Sequence, residues 1–226
     1  MIRLPAIILV TCLLCGSAAA SGQTIAVRSL TLRSGDLPEV YLKGPKDFHL
    51  LPFSPVQPGE LIRAVKASPL PLYRKVTSDE GEAGFTVAQK VAVPSGAGGL
   101  LLLGWMSGNE ARYVAIKDDF GSARFNDWLL INTGKRPVAF RVGEKEKPVM
   151  LAPGSSTTHR IGAAEGTGVA VLAQAPLRGR TRTFFSTYWP VPEGKRTVVL
   201  FVDDGEKIRV KRISDKLAPP AEPEDG

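Results

Sequence analysis

The chain has 226 residues, a formal net charge of +7 at pH 7 and a mean hydropathy of +0.00. An apolar content of 43% is typical of a globular protein and excludes an intrinsically disordered chain or a fibre, and the mean hydropathy excludes a polytopic membrane protein. Glycine and proline, with 23 and 18 residues, exceed their average usage and indicate many turns.

Residues 1–20 have the order of a secretory signal peptide. A short positively charged start precedes an apolar run over residues 4–15, and small residues with an Ala-x-Ala site then predict cleavage after Ala20. Both cysteines, Cys12 and Cys15, lie in this segment, and neither follows the small residue that a lipoprotein signal requires. We therefore expect an exported protein, periplasmic or extracellular and not a lipoprotein, whose mature chain has no disulfide and no transmembrane segment.

The remaining chain shows the patterns of short β-strands. Residues 138–142 alternate apolar and other side chains with a period of two, as in a half-buried strand. Residues 100–103, 128–131 and 198–202 are continuous apolar runs, which predict strands covered on both faces. Clusters of proline and glycine separate these strands about every ten residues, a spacing that indicates an all-β fold.

An internal repeat divides the chain. Residues 93–118 align with residues 191–215 with eight identities in about 26 positions, where composition alone gives roughly two. A weaker similarity pairs residues 39–44 with residues 129–134. The fold class expected is therefore all-β, with two tandem antiparallel immunoglobulin-like β-sandwich repeats. Their predicted bounds are 21–119 and 120–215, followed by an acidic, proline-rich tail over 216–226 that is predicted to be disordered.

Positive charge is concentrated in the second predicted repeat. Residues 21–119 have 11 Lys/Arg and 10 Asp/Glu, whereas residues 120–215 have 16 and 9. Two rows of cations spaced two apart, with a tyrosine on the face of the first row, predict a surface for a polyanion if one sheet joins them. The alternative is that these charges protect edge strands from pairing with other chains. The candidate binding residues are Arg178, Arg180, Arg182, Tyr188, Lys207, Arg209 and Lys211.

Aromatic and catalytic residues give few further signals. The densest aromatic run, residues 184–189, is typical of a sandwich core, and stacking against sugar rings is its alternative. The only histidines, His49 and His159, lie in no nucleophile or metal motif, and the best adjacent carboxylate pair is Asp118 and Asp119 at the repeat junction. We expect a protein that is not an enzyme and has no cofactor or metal, with a hydrolase of unrecognised carboxylates as a remote alternative.

Two short segments resemble known domains. Residues 128–142 are similar to the opening strands of many bacterial immunoglobulin-like domains, and residues 151–156 to the turn that often follows. The architecture as a whole is similar to that of periplasmic pilus chaperones. This similarity is one of architecture and implies no family. For an exported β-sandwich protein without catalytic motifs, we expect a binding or scaffolding module at the cell envelope, with an envelope protein or an anionic polymer as partner. The alternative is a polyanion or polysaccharide binder that uses the second repeat, and export argues against nucleic acid.

Overall fold

The computed structural model describes residues 23–33, 35–77, 81, 83–177, 179–203 and 207–217. The predicted signal peptide, nearly all of the predicted tail and Arg178 lie outside these residues. The described chain forms sixteen strands and a single 3₁₀ turn, Phe120–Ser122, so the prediction of an all-β protein is confirmed.

The first eight strands form what we call the first half, and the last eight form the second half. The first half contains β1 (Thr24–Thr31), β2 (Tyr41–Lys43), β3 (Phe48–Leu50), β4 (Ile62–Val65), β5 (Leu70–Thr77), β6 (Ala83–Val91), β7 (Gly99–Ser107) and β8 (Glu110–Lys117). The second half contains β9 (Asp127–Asn132), β10 (Val138–Val142), β11 (Val149–Leu151), β12 (Ser156–Arg160), β13 (Gly168–Leu177), β14 (Arg180–Pro190), β15 (Lys195–Asp203) and β16 (Ile208–Lys216).

These strands form four sheets of four strands each, and every sheet uses strands from one half. Sheet I has the order β3-β2-β5-β6 and sheet II the order β4-β1-β7-β8. Sheet III has the order β12-β9-β15-β16 and sheet IV the order β11-β10-β13-β14. Sheets I and II enclose one apolar core and sheets III and IV another, an arrangement that is consistent with two β-sandwiches.

A third core joins the two halves. It contains Leu101 and Leu103 from sheet II and Leu129, Val198 and Leu200 from sheet III. The four sheets therefore stack in the order I, II, III, IV, and sheets II and III are covered on both faces. This explains the continuous apolar runs, because a strand that is buried on both faces has no side turned to water on which polar side chains are favoured.

Strand β7 shows how one strand serves two cores. Leu100 and Leu102 face sheet I, whereas Leu101 and Leu103 face sheet III, and none of the four side chains is more than 2% exposed. In sheet IV, by contrast, Val138 and Val142 point inwards and alternate with half-buried residues. The predictions from both apolar patterns are confirmed, because each strand has the burial that its period indicates.

The two halves have the same strand order in space. Strands β1 and β7 run parallel in sheet II, as β9 and β15 do in sheet III, and every other ladder is antiparallel in the described chain. The weak match of residues 39–44 to residues 129–134 is wrong, because β2 lies in outer sheet I while β9 lies in inner sheet III. The position of β2 corresponds instead to that of β10.

Candidate binding surfaces

A cluster of buried charges closes one end of the contact between the halves. Arg28 forms two hydrogen bonds to Asp215, from Nη1 to Oδ2 at 2.9 Å and from Nη2 to Oδ1 at 2.5 Å. Arg196 donates from Nε to Asp215 at 2.9 Å and from Nη2 to Asp118 at 2.7 Å. The ring of Phe120 covers the cluster, with its centroid 3.9 Å from Cζ of Arg28. The charges of two arginines and two aspartates therefore neutralise one another in a cluster that is buried from water.

The same cluster settles the position of the predicted carboxylate pair. Asp118 is 2% exposed and bound to Arg196, whereas Asp119 lies on the surface with its Oδ2 3.6 Å from Nζ of Lys117. Burial alone would lower the pKa of Arg196, but the hydrogen bond and charge of Asp118, together with Asp215, outweigh burial and raise it. The two adjacent carboxylates thus point to different surroundings and do not converge on one cleft.

The two predicted rows of cations lie in different sheets. Arg180 and Arg182 are exposed on β14, the edge strand of sheet IV, whereas Arg209 and Lys211 are on β16, the edge strand of sheet III. The expectation that one sheet joins the rows is wrong, because β15 pairs with β9 and β16 and not with β14. Both rows occupy edges, as the alternative interpretation of strand protection requires.

A β-bulge separates Tyr188 from the arginines of its own strand. The ladder between β13 and β14 shifts at Ala173/Gln174, so Arg182 pairs with the buried Ala175 on the core side. Tyr188 lies on the outer face, where it is 67% exposed and its Oη donates to the carbonyl of Gly168 at 2.6 Å. An extra residue in one strand reverses the alternation beyond it, so these side chains do not share a face.

The predicted row on β16 faces the first half. Lys211 pairs with Leu200, a residue of the central core, and Arg209 pairs with Val202. Both side chains line a cleft of about 530 Å³ together with Arg33 of the first half. Lys207 precedes β16 and is exposed. The structure therefore brings Arg209 and Lys211 to a third cation that the sequence analysis did not select.

Four aromatic rings lie together on the outer face of sheet I, and we call them the aromatic platform. Phe48 stacks on Phe85 with ring centroids 4.0 Å apart and an angle of 10° between the planes. Tyr41 meets Phe85 edge to face at 5.1 Å, and Tyr73 meets Phe48 in the same way at 4.9 Å. All four strands of sheet I contribute one ring each, and all four rings are half-buried.

Ladder register shows that the platform faces away from the core. Leu70 and Leu72 of β5 point into the core, so Tyr73 between strands β2 and β6 points outwards. Apolar surface extends from the rings to Leu50 and Val87, which are 46% and 45% exposed. The platform therefore belongs to an apolar part of the protein surface, and contiguous apolar patches on a surface mark contacts with ligands or partners.

Lysines surround the aromatic platform. Lys43 pairs with Phe48, Lys75 with Phe85 and Lys90 with Pro71, and paired residues of an antiparallel ladder share a face. Glu39 accepts a hydrogen bond from Tyr41 Oη at 2.9 Å, and this bond raises the pKa of Tyr41. The outer face of sheet I is thus apolar at its centre and positively charged at its sides.

The sequence analysis missed the platform. Residues 40–43 alternate, with Val40 and Leu42 inside, and this pattern placed Tyr41 on the opposite face of its strand. Nothing local indicated that Phe48, Tyr73 and Phe85 meet it, because their contacts depend on which strands pair and in which register. Aromatic residues on the polar side of an alternating strand are the sequence signal that could have identified these rings as candidate binding residues.

Comparison with protein-family models and with curated proteins gives no match for this chain. Within the described residues, no group of three or more His, Cys, Asp or Glu is placed to hold a metal ion. No helix in that part of the chain is long and apolar enough to cross a bilayer. The functional argument therefore starts from the two surfaces described above.

Proposed function

We propose that the protein is an exported, non-catalytic binding module of the cell envelope, and that its aromatic platform binds an acidic polysaccharide. The observation that carries this proposal is the half-buried cluster of Tyr41, Phe48, Tyr73 and Phe85 on the outer face of one sheet, with one ring from each of its four strands. Sugar rings present C–H groups that pack against the electron-rich faces of aromatic rings. An outer sheet face offers a length of polymer an open surface to lie on.

The charges around the rings support an acidic polymer over a neutral one. Lys43, Lys75 and Lys90 are exposed and lie on the same face as the platform. Carboxylate or sulfate groups of a polymer stacked on the rings would come within reach of these ammonium groups. Because the lysines are exposed, their attraction is screened by salt, and binding is expected to weaken as ionic strength rises.

Two further parts of the proposal rest on the order of the strands and on residues 1–20. The identical strand order of the halves supports two tandem immunoglobulin-like repeats, with the boundary near residue 120. The signal-peptide pattern supports export to the periplasm or the extracellular space. The ion pairs of Asp118 and Asp215 with arginines support a role without catalysis, since these carboxylates are neutralised by their partners.

Affinity electrophoresis tests the proposed function. The protein is expected to be retarded in gels that contain polygalacturonate, and less so in gels that contain neutral xylan. Tyr73→Ala should abolish the retardation, whereas Tyr188→Ala, which removes an exposed tyrosine from the outer face of sheet IV, should leave it unchanged. Loss of retardation in both variants, or in neither, would contradict the proposed site.

Polyanion binding through the second half is a second candidate function. The observation in its favour is the exposure of Arg180 and Arg182 on the edge strand of the more basic half. Retention on a heparin column at low salt should then fall in the variant Arg180→Gln/Arg182→Gln and persist in Tyr73→Ala. The opposite outcome assigns heparin binding to the platform, because its lysines lie on sheet I.

A further inference from the structure

The two ends of the contact between the halves differ in the charged groups that line them. At one end, the guanidinium groups of Arg28 and Arg196 are matched by two aspartates. At the other end, Arg33, Arg209 and Lys211 line one cleft of about 530 Å³. Within the described residues the rest of the lining is aliphatic, namely Leu32, Val202 and Val210, so this part of the cleft combines three cations with an apolar wall.

Two of the cations lack a charge partner. Among the described residues, neither the guanidinium of Arg33 nor the ammonium of Lys211 is in an ion pair or a hydrogen bond. Lys211 is half-buried beside Leu200, and this desolvation lowers the pKa of its side chain. A cation held partly out of water without a partner is unfavourable unless something else is bound there, since burial penalises the charged form.

We propose that this cleft binds a small amphipathic anion, namely an aliphatic chain that ends in a carboxylate. The carboxylate lies between the guanidinium of Arg33 and the ammonium of Lys211, with Arg209 as the third cation, and the chain lies along Leu32 and Val202. The volume is within the range of small-molecule sites, about 300–1,000 Å³. Residues from both halves are needed, so the site exists only where the halves are packed together.

The wall of the cleft favours an acyl chain over a peptide. Among the described lining residues, the apolar side chains are all aliphatic, and these side chains offer no donor or acceptor for the backbone amides of a peptide. An amide group moved from water onto such a surface without a hydrogen bond loses free energy, whereas a methylene chain gains it. The planar carboxylate suits the fork of donors on the guanidinium of Arg33.

Titration calorimetry on the full chain with three probes tests this site. Decanoate has both the chain and the charge, decanol has the chain alone, and acetate has the charge alone. Decanoate is expected to bind one molecule per chain with a dissociation constant below about 1 mM, and the other two at least tenfold more weakly. Equal binding of decanol and decanoate would overturn the proposed role of the cations.

Variants connect the binding to the cleft. Arg33→Gln/Lys211→Gln should weaken decanoate binding at least tenfold, while the control variant Lys147→Gln, in an exposed lysine between β10 and β11, should leave it unchanged. Decanoate should also raise the melting temperature of the wild type and not of the cleft variant, because a ligand that binds only the folded state stabilises it. The proposal is wrong if the double variant still binds decanoate like the wild type. It is also wrong if the wild type shows no saturable binding of decanoate. Neither result affects the platform of sheet I.

Discussion

The outer faces of the two halves differ although their strand order is the same. In sheet I, Tyr41 pairs with Tyr73 just where the ladder to the next strand is bulged. In sheet IV, the pair beside the equivalent bulge is Ala139 and Gln174. The residues across the next ladder differ as well. Tyr73 of β5 pairs with Val87 of β6, whereas Gln174 of β13 pairs with Thr183 of β14.

This difference separates what the fold requires from what it leaves open. Inward positions of β2 and β10 are apolar in both halves, since each must cover a core: Leu42 in the first, Phe140 in the second. Outward positions meet only solvent and are under no packing constraint. Four aromatic rings lie on the outer face of sheet I, whereas the outer face of sheet IV presents Tyr188 beside small and polar residues such as Ala139 and Gln174. This difference is the reason for proposing that the first half holds the binding surface.

The contact between the halves is also unequal. Asp118 and Asp215 occupy equivalent positions at the ends of β8 and β16, yet their arginine partners do not. In the ladder of β1 and β7, Arg28 is paired with Leu101. At the equivalent position of the second half, Leu129 is paired with Val198. In the ladder of β15 and β16, Arg196 is opposite Asp215. At the equivalent position of the first half, the carbonyl of Gly99 accepts a hydrogen bond from the backbone N–H of Asp118. Each half thus supplies one arginine at a position that the other half leaves without charge.

The largest expected effect comes from removing one of these arginines. Arg196→Ala leaves two buried aspartates with too few partners and should lower the free energy of unfolding by about 3–5 kcal/mol, as for other broken buried pairs. Arg112→Ala, which breaks the exposed pair with Glu110, should cost at most about 0.5 kcal/mol. Urea unfolding measures both, and similar small losses in the two variants would show that the cluster does not hold the halves together.

Neighbouring leucines of β7 test whether the contact between halves is a core in its own right. Leu101→Ala removes a side chain from the central core, and Leu102→Ala removes one from the core of the first half. Both should cost about 2–5 kcal/mol in urea unfolding, the range for leucine truncation in a packed interior. If only Leu102→Ala were costly, the halves would be tethered and not packed.

Exchange of outer-face residues tests the difference between sheets I and IV. Tyr41→Ala/Tyr73→Gln places the residues of sheet IV at the equivalent positions of sheet I, and it should abolish retardation by polygalacturonate. Cross-strand aromatic pairs contribute about 0.2–1 kcal/mol each, so stability should fall only slightly. Thermal unfolding serves as the control, and a collapse of the fold with a loss of several kcal/mol would assign the rings to stability instead of binding.

The smallest expected effect is a pH dependence confined to the second half. Arg160 is opposite Asp127 in the ladder of β9 and β12, whereas Arg63 at the equivalent place is opposite Ala26. The hydrogen bond from Arg160 lowers the pKa of Asp127 below 3.8 against the opposing effect of burial. The pair therefore stabilises the fold above about pH 4, and this contribution disappears as the pH falls through the lowered pKa.

Comparison of the wild type with Asp127→Asn measures that contribution. The difference in free energy of unfolding should be constant near neutral pH and shrink as acid protonates Asp127 in the wild type. Ala26→Ser, a small change at the equivalent position of the first half, should give a difference that does not vary with pH. A gap between wild type and Asp127→Asn that persists in acid would show that charge is not its cause.

Much of the fold was predictable because it depends on local pattern. Residues 138–142 alternate since one side of β10 meets solvent, and residues 100–103 do not alternate since both sides of β7 meet other sheets. Those two patterns predicted the strands and their burial. They did not predict which strands pair, so the expectation that β14 and β16 belong to one sheet was wrong, and the alternation over residues 178–188 overlooked the bulge.

The sequence by itself determined the all-β class, the strands buried on both faces and the excess of positive charge in the second half. Tertiary structure decided the surfaces. Tyr41, Phe48, Tyr73 and Phe85 become one platform, Asp118 and Asp215 share arginines, and Lys211 meets Arg33, because ladders and sheet packing join positions far apart in the chain. Burial periodicity is a local property of the chain, whereas the convergence of side chains depends on long-range register, which no local pattern encodes.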